Sequence, residues 1–132
     1  MILLGSFFNI ISSEVKAGKM VADLEIDPSH PIFAGHFPGQ PVVPGVCLME
    51  MTREVFEELT GIAVRIPEAS HIKFLTVLDP RVHHRVCLSV EYTARGIDST
   101  ISAVITTPGL PPNASPLTFF KFKGTFRKET DH

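Results

Sequence analysis

Apolar residues recur at helical spacing in the stretch that begins at Pro44. Five residues share one helical face, on the spacing of three, four and seven that marks a helix with a buried side: Leu48, Thr52, Val55, Leu59 and Ile62. Proline is well tolerated in a first helical turn, and Gly61 suits a C-terminal cap. The pattern predicts a helix from Pro44 to Thr60. Its first half is apolar almost all round, which predicts deep burial, and Glu50 is the single charge in that half.

The remaining apolar stretches have the character of β-strands, because they alternate or are rich in β-branched and aromatic residues. They predict five strands: Lys19–Ile26, Ala69–Leu78, Val82–Ala94, Ser99–Thr107 and Leu117–Arg127. The third of these places four apolar side chains on one face: Val86, Leu88, Val90 and Tyr92. The first eleven residues predict an opening strand or a short helix. One early helix followed by long strands is typical of an α+β fold, with an antiparallel sheet packed on a buried helix.

Glycine and proline are dense between Phe33 and Gly45, where they occupy six positions: Gly35, Pro38, Gly39, Pro41, Pro44 and Gly45. This density predicts a stiff, shaped loop without regular structure. A second loop is predicted at Pro108–Pro116. No repeat or linker interrupts the chain, so residues 1–132 are predicted to form a single domain.

Composition and charge narrow the class of protein. Of 132 residues, 44% are hydrophobic and 20% charged, which indicates a globular core, and the net charge of −2 gives no field that would attract nucleic acid or an anionic membrane. No apolar stretch approaches the length of a membrane span, and the N-terminal segment lacks the features of a secretion signal. Cys47 and Cys87 lie in apolar runs outside any C-x-x-C motif, which predicts buried structural thiols. We expect a cytoplasmic protein.

Two residues suggest proton transfer. His36 lies among the rigid Gly and Pro positions, and histidine exchanges a proton near neutral pH; the alternative is a loop histidine bonded to a backbone carbonyl. Glu50 lies among apolar residues, where burial would raise its pKa and leave it neutral, as a general acid requires. The alternative is that Glu50 faces a solvent channel or pairs with Arg53 or another base.

The predicted helix start at Gly45 and Val46 is a third candidate for a part of the active site. The first N–H groups of a helix have no partner inside it, and the helix dipole adds positive potential there. They could bind a thioester carbonyl oxygen as negative charge grows on it. Simple helix initiation is the alternative.

The segment Gly35–Glu50 reads G-H-F-P-G-Q-P-V-V-P-G-V-C-L-M-E. It resembles the signature G-H-F-P-G-x-P-x-x-P-G-V of the 3-hydroxyacyl-[acyl carrier protein] dehydratases, the FabZ-like and FabA-like family, with the acidic residue fourteen positions after the histidine. Residues 70–80 resemble the family's next strand, R-F-x-R-P-V-x-P-G-D. The resemblance covers roughly residues 20–127 and is strongest at 33–51.

The chain departs from the family pattern in three places. Its opening segment lacks the usual P-H-R-Y-P-F-L-L-V-D-R, Pro80–His83 replaces P-G-D-Q, and Glu54 stands where the family commonly has glutamine. These departures bear on chain-length preference and assembly, and they leave His36 and Glu50 in place.

The resemblance implies a hotdog fold, in which a curved antiparallel sheet wraps a long central helix. It implies a lyase of fatty-acid or related polyketide and lipid biosynthesis, which dehydrates 3-hydroxyacyl thioesters to trans-2-enoyl thioesters. His36 would take the C2 proton, Gly45 and Val46 would hold the carbonyl oxygen, and Glu50 would protonate the leaving hydroxyl.

The resemblance also implies how the protein assembles. Homodimers, or trimers of dimers, would place each active site at an interface, with the histidine from one chain and the acid from the other. The substrate would arrive on the phosphopantetheine of acyl carrier protein, with no metal or redox cofactor. Seven basic residues late in the chain could form a rim on which an acidic carrier docks, and the alternative is that they are ordinary solvated strand positions: Lys73, Arg81, Arg85, Lys121, Lys123, Arg127 and Lys128.

Three other functions remain as alternatives to a simple dehydratase. A dehydratase that also isomerises the double bond usually has aspartate at the position of Glu50, and a thioesterase would not be expected to keep the whole motif. A non-catalytic hotdog subunit that binds acyl chains is the third.

Overall fold

The computed structural model describes residues 2–35, 37, 39–109 and 116–129. The elements follow in the order β1 (Phe8–Lys16), β2 (Lys19–Ile26), α1 (Ile32–Gly35), α2 (Gly45–Thr60), β3 (Val64–Phe74), β4 (Arg85–Arg95), β5 (Asp98–Thr106) and β6 (Thr118–Lys128). Neither of the helices described here has the length and apolar character needed to cross a membrane.

The six strands form one antiparallel sheet in the order β1-β2-β4-β5-β6-β3. The predicted alternation in β4 is confirmed, because Val86, Leu88 and Val90 are fully buried and Tyr92 packs against the same core. Successive side chains of a strand point to opposite faces, so this row defines the inner face of the sheet. Strands β1 and β3 are its two edges.

Helix α2 packs on that inner face. The Phe56 ring makes edge contacts with Tyr92 of β4 and Phe126 of β6, at centroid distances of 5.4 and 5.1 Å. The predicted bounds of the helix are confirmed: Gly61 caps it in the left-handed conformation (φ 72°) and donates its N–H to the Glu57 carbonyl at 2.8 Å. The α+β prediction is therefore confirmed for an antiparallel sheet and a helix packed on it.

The prediction that the first half of α2 is buried all round is wrong at its start. Val46 is 64% exposed, whereas Cys47, Leu48 and Met51 are buried. The helix begins at the protein surface, so its first turn has a solvent face that an apolar sequence alone does not reveal.

The predicted strand bounds need correction at the two sheet edges and at the start of β4, which begins at Arg85 rather than Val82. The opening strand β1 runs on to Lys16, and β3 spans Val64–Phe74 rather than Ala69–Leu78. This strand contains Pro67, which it can accommodate because an edge strand tolerates a proline that a central strand does not. After Phe74 the chain leaves the ladder, and the Leu78 carbonyl accepts the Val43 N–H at 2.9 Å.

The Gly- and Pro-rich loop contains one helical turn, α1, where none was predicted. Beyond α1 the described residues of the loop are irregular, as predicted, and Phe37 and Gln40 exchange backbone hydrogen bonds of 3.0 and 2.9 Å. Both cysteines are free thiols; Cys47 is buried as predicted, but Cys87 is only partly buried, because it alternates with the inward row of β4.

Candidate active site

The first amides of α2 lie near the protein surface. The Pro44 carbonyl accepts the N–H groups of Cys47 and Leu48, at 2.9 and 3.3 Å. Within the described residues, no hydrogen bond is formed by the N–H of Gly45 or Val46. Unpartnered N–H groups are usual in the first turn of a helix, and the structure by itself assigns no ligand to them.

Gly45 lies directly against the aromatic ring of Phe74. A Cβ atom at position 45 would be 2.6 Å from the Cζ atom of that ring, closer than real contacts allow. Glycine therefore permits the end of β3 to approach the start of α2. Between them lies a groove of about 300 Å³, lined by Leu48, Phe119 and residues of the segments 42–45 and 74–78, none of which is charged.

A larger and more open depression, of about 950 Å³, lies over the strands beside the β1–β2 turn. It is lined by residues such as Gly18, Glu68 and Thr125 and includes none of the predicted site residues. The smaller groove is the better candidate because Gly45, the first residue of α2, is part of its lining.

Glu50 lies one helical turn after Val46, with 16% of its side chain accessible. Arg53 binds both of its oxygens: Nε donates to Oε1 at 3.2 Å, and Nη2 donates to Oε2. Arg53 also pairs with Glu57 at 2.9 Å and donates to the Val64 carbonyl at 3.2 Å.

The pKa of Glu50 is lowered from its ordinary value. Burial raises this pKa, but the hydrogen bonds from Arg53 and Glu54 and the charge of Arg53 outweigh burial. The expectation that burial leaves Glu50 neutral is therefore wrong, and the alternative pairing with Arg53 is what the structure shows.

Glu54 is the more deeply buried carboxyl group, with 6% exposure. Its Oε1 accepts the N–H groups of Leu3 and Leu4 at 2.9 and 2.7 Å, and its Oε2 also accepts the Leu3 N–H, at 3.0 Å. Burial and the hydrogen bond with Glu50 raise the pKa of Glu54 against the opposing effect of these amides. Sequence reasoning noted Glu54 only as a departure from a motif, because its amide partners lie about fifty residues away in the chain.

The structure describes only part of the predicted site. Glu50, Gly45 and Val46 lie together in the first two turns of α2, whereas His36 lies outside the described residues. Three members of the predicted basic rim are engaged in ion pairs: Arg81 with Asp79, Arg85 with Glu25, and Arg127 with Asp98. Lys73 and Lys121 lie opposite each other on β3 and β6, beside Lys123.

Residues 12–103 match the model of the ApeI-like family, described as ApeI dehydratase. The chain belongs to this family. The match runs from the middle of β1 to most of β5, includes α2 with Glu50, and agrees with the FabZ-like resemblance seen in the motif.

Curated relatives of this ApeI-like chain include proteins named 3-hydroxyacyl-[acyl-carrier-protein] dehydratase FabZ. The Chlamydia trachomatis protein is 38% identical over 53 residues, which cover 40% of this chain and 35% of that protein. The Moorella thermoacetica protein is 46% identical over 43 residues, covering 32% and 30%. The Xanthomonas euvesicatoria protein is 27% identical over 70 residues, covering 53% and 46%. The chain thus spans less than half of each of these relatives.

Two solved structures share the fold. A chain of the dehydratase heterocomplex ApeI:P from Xenorhabdus doucetiae superposes with a TM-score of 0.67 at 21% identity, covering 89% of this chain and 96% of that chain. An uncharacterised protein from Erwinia carotovora gives a TM-score of 0.56 at 21% identity, covering 89% of each chain. The six-stranded antiparallel sheet of the ApeI-like chain agrees with the hotdog class.

Proposed function

We propose that this protein removes water from a 3-hydroxyacyl thioester carried by acyl carrier protein and produces the trans-2-enoyl thioester. Membership of the ApeI-like dehydratase family carries the proposal. The geometry supports it, because the first two turns of α2 contain a carboxyl group and two amides that form no hydrogen bond with the described residues, beside an uncharged groove. We take residues 1–132 as one hotdog domain whose curved sheet wraps α2 as a central helix.

Each residue has a role in the proposed reaction. Neutral His36 takes the proton from C2, and the N–H groups of Gly45 and Val46 stabilise the negative charge on the thioester oxygen. A proton delivered at Glu50 converts the C3 hydroxyl group into leaving water. The proposal needs no metal or redox cofactor.

We propose that the active unit is a dimer formed through β3. This edge strand and the residues after it expose apolar side chains, with Ile72 42%, Phe74 58% and Val77 69% exposed. An unpaired edge with apolar side chains is a natural site for pairing with another chain. A second copy would pair there, alone or as a trimer of dimers, and would complete the site with its own His36. A different hotdog chain is the alternative partner, since the Xenorhabdus relative is named as part of a heterocomplex.

The carrier protein would dock on the lysines of β3 and β6. Lys73, Lys121 and Lys123 form no ion pair with a carboxylate in the described part of the chain, unlike the arginines of the predicted rim. A cationic surface of this kind suits an acidic partner. The pathway would be fatty-acid or related polyketide and lipid biosynthesis in the cytoplasm.

The test is a turnover assay on a panel of short, medium and long 3-hydroxyacyl thioesters of carrier protein or N-acetylcysteamine, followed by enoyl-thioester absorbance. We expect turnover by the wild type and a loss of about 10²-fold or more in His36→Ala and in Glu50→Gln, the scale of one proton transfer. Glu58→Gln is the matched control, since Glu58 lies on the same helix but is exposed.

Near-full activity of Glu50→Gln would contradict the assignment of Glu50. Release of free thiol would instead identify a thioesterase, and a shifted double bond would identify an isomerising dehydratase. No turnover by a folded dimer on any chain length would favour the non-catalytic acyl-binding subunit.

A further inference from the structure

We propose that Arg53 is a positioning residue, which holds the carboxyl group of Glu50 in one orientation for the reaction. Glu57 and the backbone of Val64 hold Arg53 in turn. The inference rests on the proposed function, in which Glu50 acts on the C3 hydroxyl group. It follows from the contacts of the guanidinium group, because each of its three nitrogen atoms binds a neighbouring oxygen.

The contact between Arg53 and Glu50 fixes the plane of the carboxyl group. Nε donates to Oε1 at 3.2 Å, and Nη2 donates to Oε2. Two parallel hydrogen bonds from a planar guanidinium group restrict the rotation of a carboxylate, which a single bond from an ammonium group does not. Each carboxylate oxygen has two lone pairs, and Arg53 takes one from each. One lone pair on each oxygen therefore remains for a substrate hydroxyl group or for an arriving proton.

The third nitrogen atom of Arg53 ties this pair to the start of β3. Nη1 lies 2.9 Å from Oε1 of Glu57 and donates to the Val64 carbonyl at 3.2 Å. The other oxygen of Glu57, Oε2, accepts the Val64 N–H at 2.8 Å. Arg53 and Glu57 thus bind both polar groups of the Val64 backbone, and Val64 is the first residue of β3. The orientation of Glu50 therefore depends on a neighbouring strand as well as on its own helix.

The set of Glu50, Arg53 and Glu57, here called the Arg53 cluster, is largely shielded from solvent. The Arg53 side chain is 21% accessible, whereas Arg85, which pairs with Glu25 on the surface of the sheet, is 60% accessible. Exposed pairs hold their geometry weakly, because water and side-chain entropy compete with the contact. A largely buried cluster with four contacts on one guanidinium group is better suited to keep a carboxyl group in place.

Removal of the guanidinium group should slow the reaction without weakening substrate binding. We expect folded Arg53→Met to show a kcat lower by about tenfold or more, since small displacements of a catalytic group are costly. KM should change little, because Arg53 is not part of the groove lining. The kcat values are compared at the pH optimum of each variant, since Arg53 also lowers the pKa of Glu50. Arg53→Lys keeps the charge without the paired hydrogen bonds and should give an intermediate kcat.

Glu57→Gln tests the tie to β3. A glutamine keeps an acceptor for the Val64 N–H but loses the ion pair with Arg53. If Glu57 acts through Arg53, the double variant should be no slower than Arg53→Met alone. Glu58→Gln is the control, since Glu58 lies on the same helix but is exposed. Unchanged kcat in folded Arg53→Met, or a rise in KM alone, would overturn the positioning role, and independent effects of the two substitutions would overturn the part assigned to Glu57.

Exchange of guanidinium protons with water tests the Arg53 cluster without relying on activity. Arg53 and Arg85 each donate Nε–H to a glutamate oxygen at 3.2 Å, which makes Arg85 a matched internal control. In ¹⁵N NMR spectra we expect the Nε–H of Arg53 to exchange more slowly than that of Arg85, and faster once Glu50→Ala removes its acceptor. Arg53→Met identifies the signal by its loss. Equally fast exchange of the two arginines in the wild type would overturn the inference.

The two measurements separate this inference from the proposed function. Slow exchange at Arg53 in a folded protein that turns over no thioester would support a held Glu50 carboxyl group and overturn the proposed dehydration. Dehydration by the wild type that folded Arg53→Met retains in full would support the proposed function and overturn the positioning role of Arg53.

Discussion

At the scale of single residues, the pKa values of two glutamates on one helix are shifted in opposite directions, because the two side chains have different surroundings. Glu50 faces a guanidinium group, whereas Glu54 faces backbone amides and another carboxyl group. Arg53 lies three residues after Glu50 on the same helix, so a helical pattern reveals that pair. The amide partners of Glu54 lie about fifty residues away in the chain, so no local pattern reveals them. The pKa of each carboxyl group in the candidate site therefore depends on the groups that the fold places beside it, and not only on its being a glutamate.

Arg53→Met should raise the pKa of Glu50, since the hydrogen bonds and charge of Arg53 lower it from 4.5. A depressed carboxyl pKa gives stability that is fully present above the unfolded value and is lost as the pH falls through the folded value. Wild-type protein should therefore lose unfolding free energy below about pH 4.3, and Arg53→Met should lose less across that window. Urea unfolding at a series of pH values measures the difference.

Arg85→Met is the control for this experiment. Arg85 also pairs with a glutamate, Glu25, but its side chain is 60% accessible, and exposed pairs contribute little. Its acid dependence should match that of the wild type. If the acid dependence of the unfolding free energy changed equally in Arg53→Met and Arg85→Met, the change could not be attributed to the contact between Arg53 and Glu50.

At the scale of elements, two glycines allow neighbouring elements to approach β3 closely: Gly45 of α2 and Gly124 of β6. The two differ in what a Cβ atom would meet. At Gly45 the obstacle to a Cβ atom is the far end of the exposed Phe74 ring, which can move. At Gly124 of β6 the obstacle is the Glu68 carbonyl oxygen of β3, 2.6 Å from the Cβ position, with the Phe122 ring equally close. A backbone atom in a paired strand cannot yield without disturbing the ladder.

Gly124→Ala should therefore lower the free energy of unfolding by about 1–3 kcal/mol, the usual cost of overpacking. Gly35→Ala is the matched control, because a Cβ atom there meets nothing within 4 Å. Chemical denaturation of both variants measures the difference. Equal stability of the two would mean that β3 adapts to a side chain at position 124.

At the scale of the whole molecule, the proposed interface would place the two catalytic residues of each site on different chains, so each can be changed in one chain only. A site built from His36 of one chain and Glu50 of another can be restored by mixing two inactive variants. After subunit exchange, a dimer of His36→Ala with Glu50→Gln would have one of its two sites intact and the other doubly defective.

We expect much more dehydration from that mixture than from either variant alone, since each variant alone should have lost about 10²-fold or more. The measurement is the enoyl-thioester assay after exchange, with mass spectrometry of the intact dimers to show that mixed species have formed. A mixture of His36→Ala with Arg85→Met is the control for partial activity from an unaffected chain. Mixed dimers without activity would show that each site takes both residues from a single chain.

The amino-acid sequence by itself determined what depends on neighbours along the chain. The spacing of Leu48, Val55 and their partners, with Pro44 before and Gly61 after, predicted α2 to within one residue. Alternation in β4 predicted which face is buried. These features are local because hydrogen bonding in a helix and side-chain direction in a strand repeat over a few residues.

Only the tertiary structure decided what depends on distant partners. The bounds of β3 follow from its pairing with β6, some fifty residues later, and Pro67 is tolerated because that strand is an edge. The exposure of Val46 follows from where α2 meets the surface. The pKa of Glu54 is raised by burial against the amides of Leu3 and Leu4, and the pKa of Glu50 is lowered by Arg53 against burial. A buried carboxyl group takes its pKa from its burial and from the charges and donors that the fold places beside it.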